Sequence, residues 1–393
     1  MLLVKLISKR RNYFSIGKDY TNSISVVVHS DTLFSAICNN LRLIYGRSVL
    51  EDFLTAISEN SAVNKTPFRI SSCFHYVDVY RENELVNSLY FLPKPLIRLP
   101  FDPVSQQNLN ESSKLFKKIE FVSFEIFKKL QQNKEISFSR YHILDKKYLL
   151  DDKDLEDLGL EKFLKPSDEP LPSDYEAINK QISIFEILTE QKVSISRLRK
   201  ESQPYLWQKM KFRKSRYYIK VDGKRIYYEL IPSFYFLFDC SGLEDHYLEK
   251  ITAALLLIAD QGLGGKRSLG SGLVDKVEFI EIDSSFPYGT LFEQKKDGLL
   301  INISLVFPTM EDMEKILYFK LFGRSGYIYS PESSSIRFND LMFVEEASIF
   351  GEEVAGKLVQ VASEKFKSEN HEVYKNGIGF YVNIGVIEGE ITK

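Results

Sequence analysis

The order of elements around one glycine-rich loop limits what this chain can fold into. Residues 260–274 read DQGLGGKRSLGSGLV, where five glycines within eleven residues enclose Lys266 and Arg267. The segment before the loop, LEKITAALLLIAD, has apolar residues at helical spacing, and the segment after it, LVDKVEFIEI, is rich in strand-forming residues. The order is therefore helix, loop, strand. P-loops and dinucleotide-binding loops both run from strand to helix, so both are excluded.

A helix C-cap and a turn explain one or two of these glycines. Five glycines around two cations favour a second interpretation, in which the bare backbone lies against an anionic polymer. We take ligand contact as the working hypothesis and keep helix termination as the alternative. The candidate contacts in the loop are Gly262, Gly264, Gly265, Lys266, Arg267, Ser268 and Gly270.

The second unusual stretch is residues 191–220. It holds ten Lys or Arg and one acid, Glu201, which gives a local charge of +9 in a chain of 393 residues whose net charge is −2. Aromatic residues, among them Tyr205 and Trp207, are interleaved with the cations. Cations neutralise phosphates and rings stack on unpaired bases, so the pattern favours single-stranded nucleic acid, although a solvated edge hairpin is the alternative. The candidate contacts here are Arg197, Arg199, Lys209 and Lys211.

Sequence patterns typical of catalysis and metal binding are not found. The three cysteines are far apart and form no C-x-x-C pair, the five histidines lack metal-site spacing, and no G-x-S-x-G motif occurs. The N-terminus lacks a signal-peptide core, and the apolar run AALLLIA is too short to span a bilayer. We therefore expect a soluble, cytoplasmic protein without metal, cofactor or membrane contact.

His29 is the histidine that requires a separate argument. It stands at a strand-to-helix turn, directly before Ser30 and Asp31. As a general base it could deprotonate an RNA 2′-hydroxyl. We favour a non-catalytic position in which His29 holds the turn or contacts RNA, and we include His29 and Ser30 among the candidate RNA contacts.

Strand and helix patterns indicate an α+β protein of two modules. Residues 1–282 form the first, with insertions at about 95–225, and residues 283–393 form the second. We expect the acidic stretch 131–182 to be partly flexible and outside the core. In the second module, EDMEKILYFKLFG is predicted to be a helix between short strands that suit antiparallel sheets.

The helix, the glycine loop with its Lys and Arg, and the strand that follows resemble the signature of the RAMP superfamily of CRISPR proteins. Further segments match one family within it, the Cas-five-type fourth subunit of the type III-A effector (Csm) complex. These segments, in order, are HSDTLFSA, ISSCFHY…YFLPKP, KKIEFVSFEIF, VSISRL, GLGGKRSLGSG, RSGYIYS and VYKNGIGF. The chain departs from the family pattern at His75, where Pro is usual, and at Ala347-Ser348, where Gly-Ser is usual.

The resemblance implies two ferredoxin-like (RRM-like) modules with antiparallel sheets and no enzymatic activity. It also implies that the subunit holds the 5′ handle of the guide RNA and bridges the large polymerase-like subunit to the backbone subunits. Two alternatives remain. One is a RAMP endoribonuclease that processes precursor guide RNA, against which stands the long segment after the glycine loop. The other is a scaffold that binds only proteins.

Overall fold

The computed structural model describes residues 1–8, 13–17, 24–61, 68–161, 173–196, 201–293, 298–328, 337–363, 366 and 372–386. The first part of the chain forms β1 (Leu2–Ile7), β2 (Tyr13–Phe14), α1 (Ser30–Tyr45), α2 (Arg47–Ser61), β3 (Arg69–Ile70), β4 (Phe74–Arg81) and β5 (Glu84–Pro93). The insertions form α3 (Pro103–Phe116), β6 (Phe121–Ser123), α4 (Phe124–Gln131), β7 (Ile143–Leu144), β8 (Tyr148–Leu149), α5 (Asp152–Asp157), α6 (Ser173–Gln181), β9 (Phe185–Ser196), β10 (Glu201–Phe212) and β11 (Ser215–Val221).

The chain continues with β12 (Lys224–Asp239), α7 (Asp245–Leu256), α8 (Ile258–Gln261) and β13 (Lys276–Glu281), and the elements from β1 to β13 are called the first module below. The elements called the second module are β14 (Leu300–Asn302), β15 (Ile316–Tyr318), β16 (Leu321–Arg324), β17 (Leu341–Val344), β18 (Ile349–Phe350), β19 (Gly356–Gln360), β20 (Tyr374–Ile378) and β21 (Tyr381–Asn383). The protein is thus α+β.

The centre of the first module is an antiparallel sheet in the order β13-β1-β12-β4. With α1 between β1 and β4, and α7 between β12 and β13, this is the 4-1-3-2 strand order of a βαββαβ unit. Helix α1 forms because Leu33, Ile37 and Leu41 make one buried stripe, and it ends at Gly46, whose φ is 88°. All the insertions lie in the connection from β4 to β12.

Beyond β4 the sheet continues through β5, β6, β8 and β7. Strands β6 and β8 run parallel, so the sheet is mixed, and the prediction of purely antiparallel sheets is wrong at this point. The expectation that residues 131–182 lie outside the core is also wrong for the described part of that stretch. Tyr148, Leu149 and Leu155 are buried in the main hydrophobic cluster, because apolar residues among the acids pack under the extended sheet.

The second module is built from short antiparallel strands. Strands β15, β18, β14 and β21 form a four-stranded sheet, and β16-β17 and β19-β20 form two hairpins. The predicted helix EDMEKILYFKLFG is wrong, because residues 313–315 form a 3-10 turn and β15 and β16 follow it. The ferredoxin-like arrangement stays a prediction for this module. Its residues Ile303 and Ile349 share one hydrophobic cluster with β1 and β12 of the first module.

Candidate RNA-binding groove

The glycine loop begins where α8 ends. The N–H of Gly262 donates to the carbonyl of Ile258 at 2.8 Å, and Gly262 has a φ of 75°. Gly264, Gly270 and Gly272 also have positive φ, at 90°, 78° and 84°. Four of the five glycines therefore hold backbone conformations that other residues rarely adopt.

The loop packs closely against its own chain. A Cβ at Gly264 would lie 2.7 Å from the carbonyl oxygen of Ser15, and a Cβ at Gly272 would collide with the carbonyl of Leu263. The N–H of Gly265 donates to that same Ser15 oxygen at 2.7 Å, and the N–H of Gly272 donates to the carbonyl of Tyr13 at 2.6 Å. These glycines are thus explained by intramolecular packing against β2 and the residue after it. This corrects the view that a ligand accounts for all of them.

The outer turn of the loop remains available to a ligand. Gly265, Lys266, Ser268 and Gly270 are exposed, and a Cβ at Gly270 would meet nothing within 4 Å. Lys266 has a left-handed φ of 57°, and its Nζ lies 5.6 Å from the ring centroid of Tyr205. This turn therefore presents one cation beside an aromatic ring of the neighbouring hairpin.

That hairpin consists of β9 and β10, paired antiparallel along their length, with β2 on the other side of β10. Arg197 and Arg199 lie outside the described residues. Lys209 is buried, its ammonium forms an ion pair with Glu190, and it lies 3.9 Å from the ring centroid of Tyr13. Lys211 pairs with Glu186 at 3.4 Å.

The positive charge of residues 191–220 is thus partly neutralised by acids that precede this window on β9. Lys209 and Lys211 do not fit the prediction that they contact RNA as free cations, because their ammonium groups already form ion pairs with Glu190 and Glu186.

A groove of about 350 Å³ lies between the hairpin and the glycine loop. Its lining is Ser15, Ile16, Gly17, Ile24, Tyr205, Leu206, Trp207, Gln208, Gly265 and Lys266. The volume falls within the usual range for small-ligand sites. Trp207 is fixed by a hydrogen bond from its Nε1 to Ser15 Oγ at 3.3 Å, while Tyr205 is 40% exposed. The two stretches that stand out in the sequence therefore form opposite walls of one site.

Ser15, Ile16 and Ile24 were not among the predicted site residues, and no local pattern marks them. Tyr205 and Trp207 do stand out in the sequence, as aromatic residues among cations. Their alternation along β10 is the signal that could have placed them in the site list.

His29 and Ser30 lie elsewhere, in a buried junction between the two modules. His29 Nδ1 is 2.9 Å from Glu346 Oε1, and Nε2 is 3.2 Å from Ser25 Oγ. Ser30 Oγ accepts the N–H of Leu305 at 3.0 Å. With 4% and 0% exposure, neither side chain has surface to offer to RNA, so their prediction as RNA contacts does not fit the structure.

The same junction contains a buried ion cluster around Asp31. Arg324 donates to both carboxylate oxygens of Asp31, at 2.9 and 2.7 Å, and Lys375 Nζ lies 3.3 Å away. Burial by itself would raise the pKa of Asp31, but Arg324 and Lys375 outweigh burial and hold that pKa well below its usual value. Asp31 of the H-S-D-T motif is therefore paired with two cations of the second module, and this pairing joins the two modules.

The surroundings of two of the three cysteines keep their thiols protonated. Burial raises the pKa of the Cys73 thiol, and burial with Asp239 raises that of Cys240 to about 11, so both stay protonated at neutral pH. In the described ranges, no three His, Cys, Asp or Glu side chains are grouped to hold a metal ion. Among the described helices, none is long and apolar enough to cross a membrane.

Comparison with known proteins gives a consistent result. Residues 295–384 match the family model of the CRISPR Csm4 C-terminal domain. The chain is 26% identical to the CRISPR system Cms protein Csm4 of Methanocaldococcus jannaschii, over 96% of this chain and 96% of that protein. It is 24% identical to the protein of the same description from Thermococcus onnurineus, over 92% of this chain and 93% of that one.

Two solved structures share the fold. One is a crystal structure of a Csm3–Csm4 subcomplex in the type III-A CRISPR–Cas interference complex, with a TM-score of 0.60, 23% identity, and coverage of 98% of this chain and 99% of that chain. The other is a Csm1–Csm4 cassette in complex with cA4, with a TM-score of 0.51, 19% identity, and coverage of 99% of both chains. The chain thus matches the Csm4 C-terminal domain at residues 295–384, is similar over nearly its full length to two Csm4 proteins, and shares its fold with solved Csm4-containing structures.

Proposed function

We propose that this chain is a non-catalytic subunit of a type III-A CRISPR complex that holds the 5′ handle of the guide RNA. The observation that carries the proposal is the groove between the glycine loop and the β9–β10 hairpin. It brings an exposed cation, two aromatic side chains and the exposed Gly265 into one concave site. This combination suits single-stranded RNA, which offers phosphates and unstacked bases together.

Each wall supplies a different contact. Lys266 neutralises one phosphate, since its ammonium is exposed at the rim. Tyr205 provides a ring on which an unpaired base stacks, and the Trp207 ring beside it extends the aromatic wall. Arg267 is half-buried and already engaged within the protein, so we count one phosphate contact in the loop instead of two.

The non-catalytic role is supported by the position of His29. A general base must reach the proton that it removes. Both ring nitrogens of His29 are occupied, by Glu346 and Ser25, in a buried junction outside the groove. This counts against the endoribonuclease alternative.

The bridging role is supported by the solved relatives, which contain Csm4 with Csm3 and Csm4 with Csm1. We propose that this chain likewise contacts a Csm3-type backbone subunit and a Csm1-type large subunit. The same guide RNA would then pass from the groove to the backbone subunit.

Salt titration of handle-RNA affinity tests the groove. Lys266→Ala should weaken binding and lower the log–log salt slope by about 0.7, the value for one phosphate contact on a single strand. Tyr205→Ala should weaken binding by about 1–3 kcal/mol with the slope unchanged, because stacking releases no counterions. Lys224→Ala and Tyr227→Ala, exposed residues of β12, are the matched controls and should bind like wild type.

If Lys266→Ala and Tyr205→Ala both bind handle RNA as tightly as wild type at every salt concentration, the groove assignment is refuted. Cleavage of repeat RNA by the pure wild-type chain would refute the non-catalytic role.

A further inference from the structure

A two-stranded ribbon of β11 and the start of β12 carries the last part of the basic stretch 191–220, which the groove does not use. Ser215–Val221 pairs antiparallel with residues 224–230. A two-residue turn, Asp222-Gly223, joins the strands with positive φ values of 49° and 76°. The pairing register fixes which side chains are neighbours, so each side of the ribbon is one continuous surface.

One side of the ribbon is fixed to the rest of the protein. The Tyr217 and Tyr228 rings are stacked with their centroids 5.4 Å apart, and the Tyr217 hydroxyl donates to the carbonyl of Leu158 at 2.9 Å. Ile219 is buried on the same side. Because buried and exposed residues alternate along β11, the ribbon is held from behind and its other side is turned to solvent.

The solvent side presents two aromatic rings with cations beside them. Tyr218 and Tyr227 lie opposite each other on the two strands and are 41% and 52% exposed. Their ring centroids are 5.9 Å apart and the ring planes are tilted by 53°, so the rings do not stack on each other. The guanidinium of Arg225 lies 4.8 Å from the Tyr218 centroid, and Lys220 is the cross-strand neighbour of Arg225.

The ribbon is positively charged. Residues 216–229 hold four Lys or Arg and two acids, a net charge of +2. Arg216 and Glu229 form an ion pair at 2.9 Å on the part of the ribbon away from the turn, whereas Lys220 and Arg225 are exposed next to the rings. Cations that alternate with aromatic rings suit an anionic strand with unstacked bases, whereas the centre of a protein interface is depleted of charged residues.

We propose that the ribbon surface, formed by Tyr218, Lys220, Arg225 and Tyr227, is a second binding site for single-stranded RNA. Bases stack on the two tyrosine rings, and the two cations each face a phosphate. None of these four residues lines the groove, so the ribbon surface takes a strand outside the handle. The choice of RNA over DNA rests on the proposed function.

The test uses the full chain with its groove saturated by handle RNA, and a labelled oligouridine of about twelve nucleotides as the probe. Tyr218→Ala/Tyr227→Ala should weaken probe binding about tenfold or more, because both stacking rings are lost. Tyr218→Phe/Tyr227→Phe keeps the rings and should bind the probe like wild type. Lys220→Ala/Arg225→Ala should lower the log–log salt slope of probe binding by about 1.4, at about 0.7 per phosphate contact. Handle-RNA affinity should not change in these variants.

The matched control is Tyr327→Ala/Arg337→Ala, which should bind the probe normally. Tyr327 is 70% exposed and lies opposite Arg337 in an antiparallel bridge of the second module, so the same residue types are removed from another surface. Melting curves verify folding of every variant, and the handle titration reports separately on the proposed function.

Four results would overturn the proposal. The first is unchanged probe affinity in Tyr218→Ala/Tyr227→Ala, and the second is an equal loss in the control variant. The third is displacement of the probe by polyglutamate as readily as by unlabelled oligouridine, which would assign the ribbon surface to an acidic protein. The fourth is tighter binding of oligodeoxyuridine than of oligouridine, which would assign it to DNA.

Discussion

The buried junction between the modules gives the strongest prediction about stability. Arg324→Ala removes the guanidinium that donates twice to Asp31 and leaves a fully buried carboxylate with Lys375 as its remaining cation, 3.3 Å away. Removal of one partner from a buried ion pair costs about 3–5 kcal/mol. Because Lys375 still faces Asp31, we expect the lower end, a loss of about 3 kcal/mol in the free energy of unfolding.

Urea titration followed by far-ultraviolet circular dichroism measures this loss. Arg337→Ala is the matched control, because Arg337 and Asp340 form an Arg–Asp pair in the same module at 3.2 Å, with both side chains at least half exposed. An exposed pair contributes about 0–1 kcal/mol, so this variant should stay close to wild type.

A triple variant separates the charge from the packing. Asp31→Asn/Arg324→Met/Lys375→Met removes all three charges of the cluster and should recover much of the stability lost in Arg324→Ala, since no buried charge of the cluster is then left unpaired. A loss below about 1 kcal/mol for Arg324→Ala, or no recovery in the triple variant, would refute the argument that Asp31 depends on Arg324.

Three further predictions concern the same residues and the groove. The folded-state pKa of Asp31 is lowered, so its contribution to stability is present above the unfolded carboxyl value of about pH 4 and is lost as pH falls below it. Melting curves from pH 7 to pH 3 should show a shallower decline for Asp31→Asn, and an equal decline would contradict this. Gly264→Ala should lower the free energy of unfolding by about 2 kcal/mol or more, because the new Cβ would stand 2.7 Å from the Ser15 oxygen. Gly270→Ala, where the new Cβ meets nothing within 4 Å, should lower it by about 1 kcal/mol. Equal losses in urea titrations would count against the packing role of Gly264. Trp207 is the one tryptophan of the chain and lines the groove, so handle RNA should change its fluorescence emission. In Lys266→Ala the midpoint of this RNA titration should shift to higher RNA concentration. Emission that does not respond to RNA would show that the handle binds elsewhere.

Local pattern was sufficient to predict much of the first module. The order helix, glycine loop, strand is confirmed as α7 and α8, the loop, and β13, and the helix after His29 is confirmed as α1. Such elements can be predicted because their signals depend on residues two to four positions apart. The resemblance to the type III-A family, based on an ordered set of short motifs, is confirmed by the full-length relatives.

Predictions from local pattern were wrong where contacts between residues far apart in the sequence decide a residue's environment. EDMEKILYFKLFG has helical periodicity, but the module uses it as β15 and β16 and leaves alternate apolar residues exposed. The +9 stretch begins at residue 191, so the acids of β9 that pair with Lys209 and Lys211 precede it.

The sequence by itself determined the order of helix, glycine loop and strand, the two cations within the loop, and the resemblance to the type III-A family. The tertiary structure alone decided what each of these contacts: Ser15 beneath the loop, Trp207 and Tyr205 across the groove, and Glu346 beside His29. The physical reason is separation along the chain. His29 and Glu346 are 317 residues apart, and Trp207 and Ser15 are 192 apart, so only the packing of whole elements brings them together.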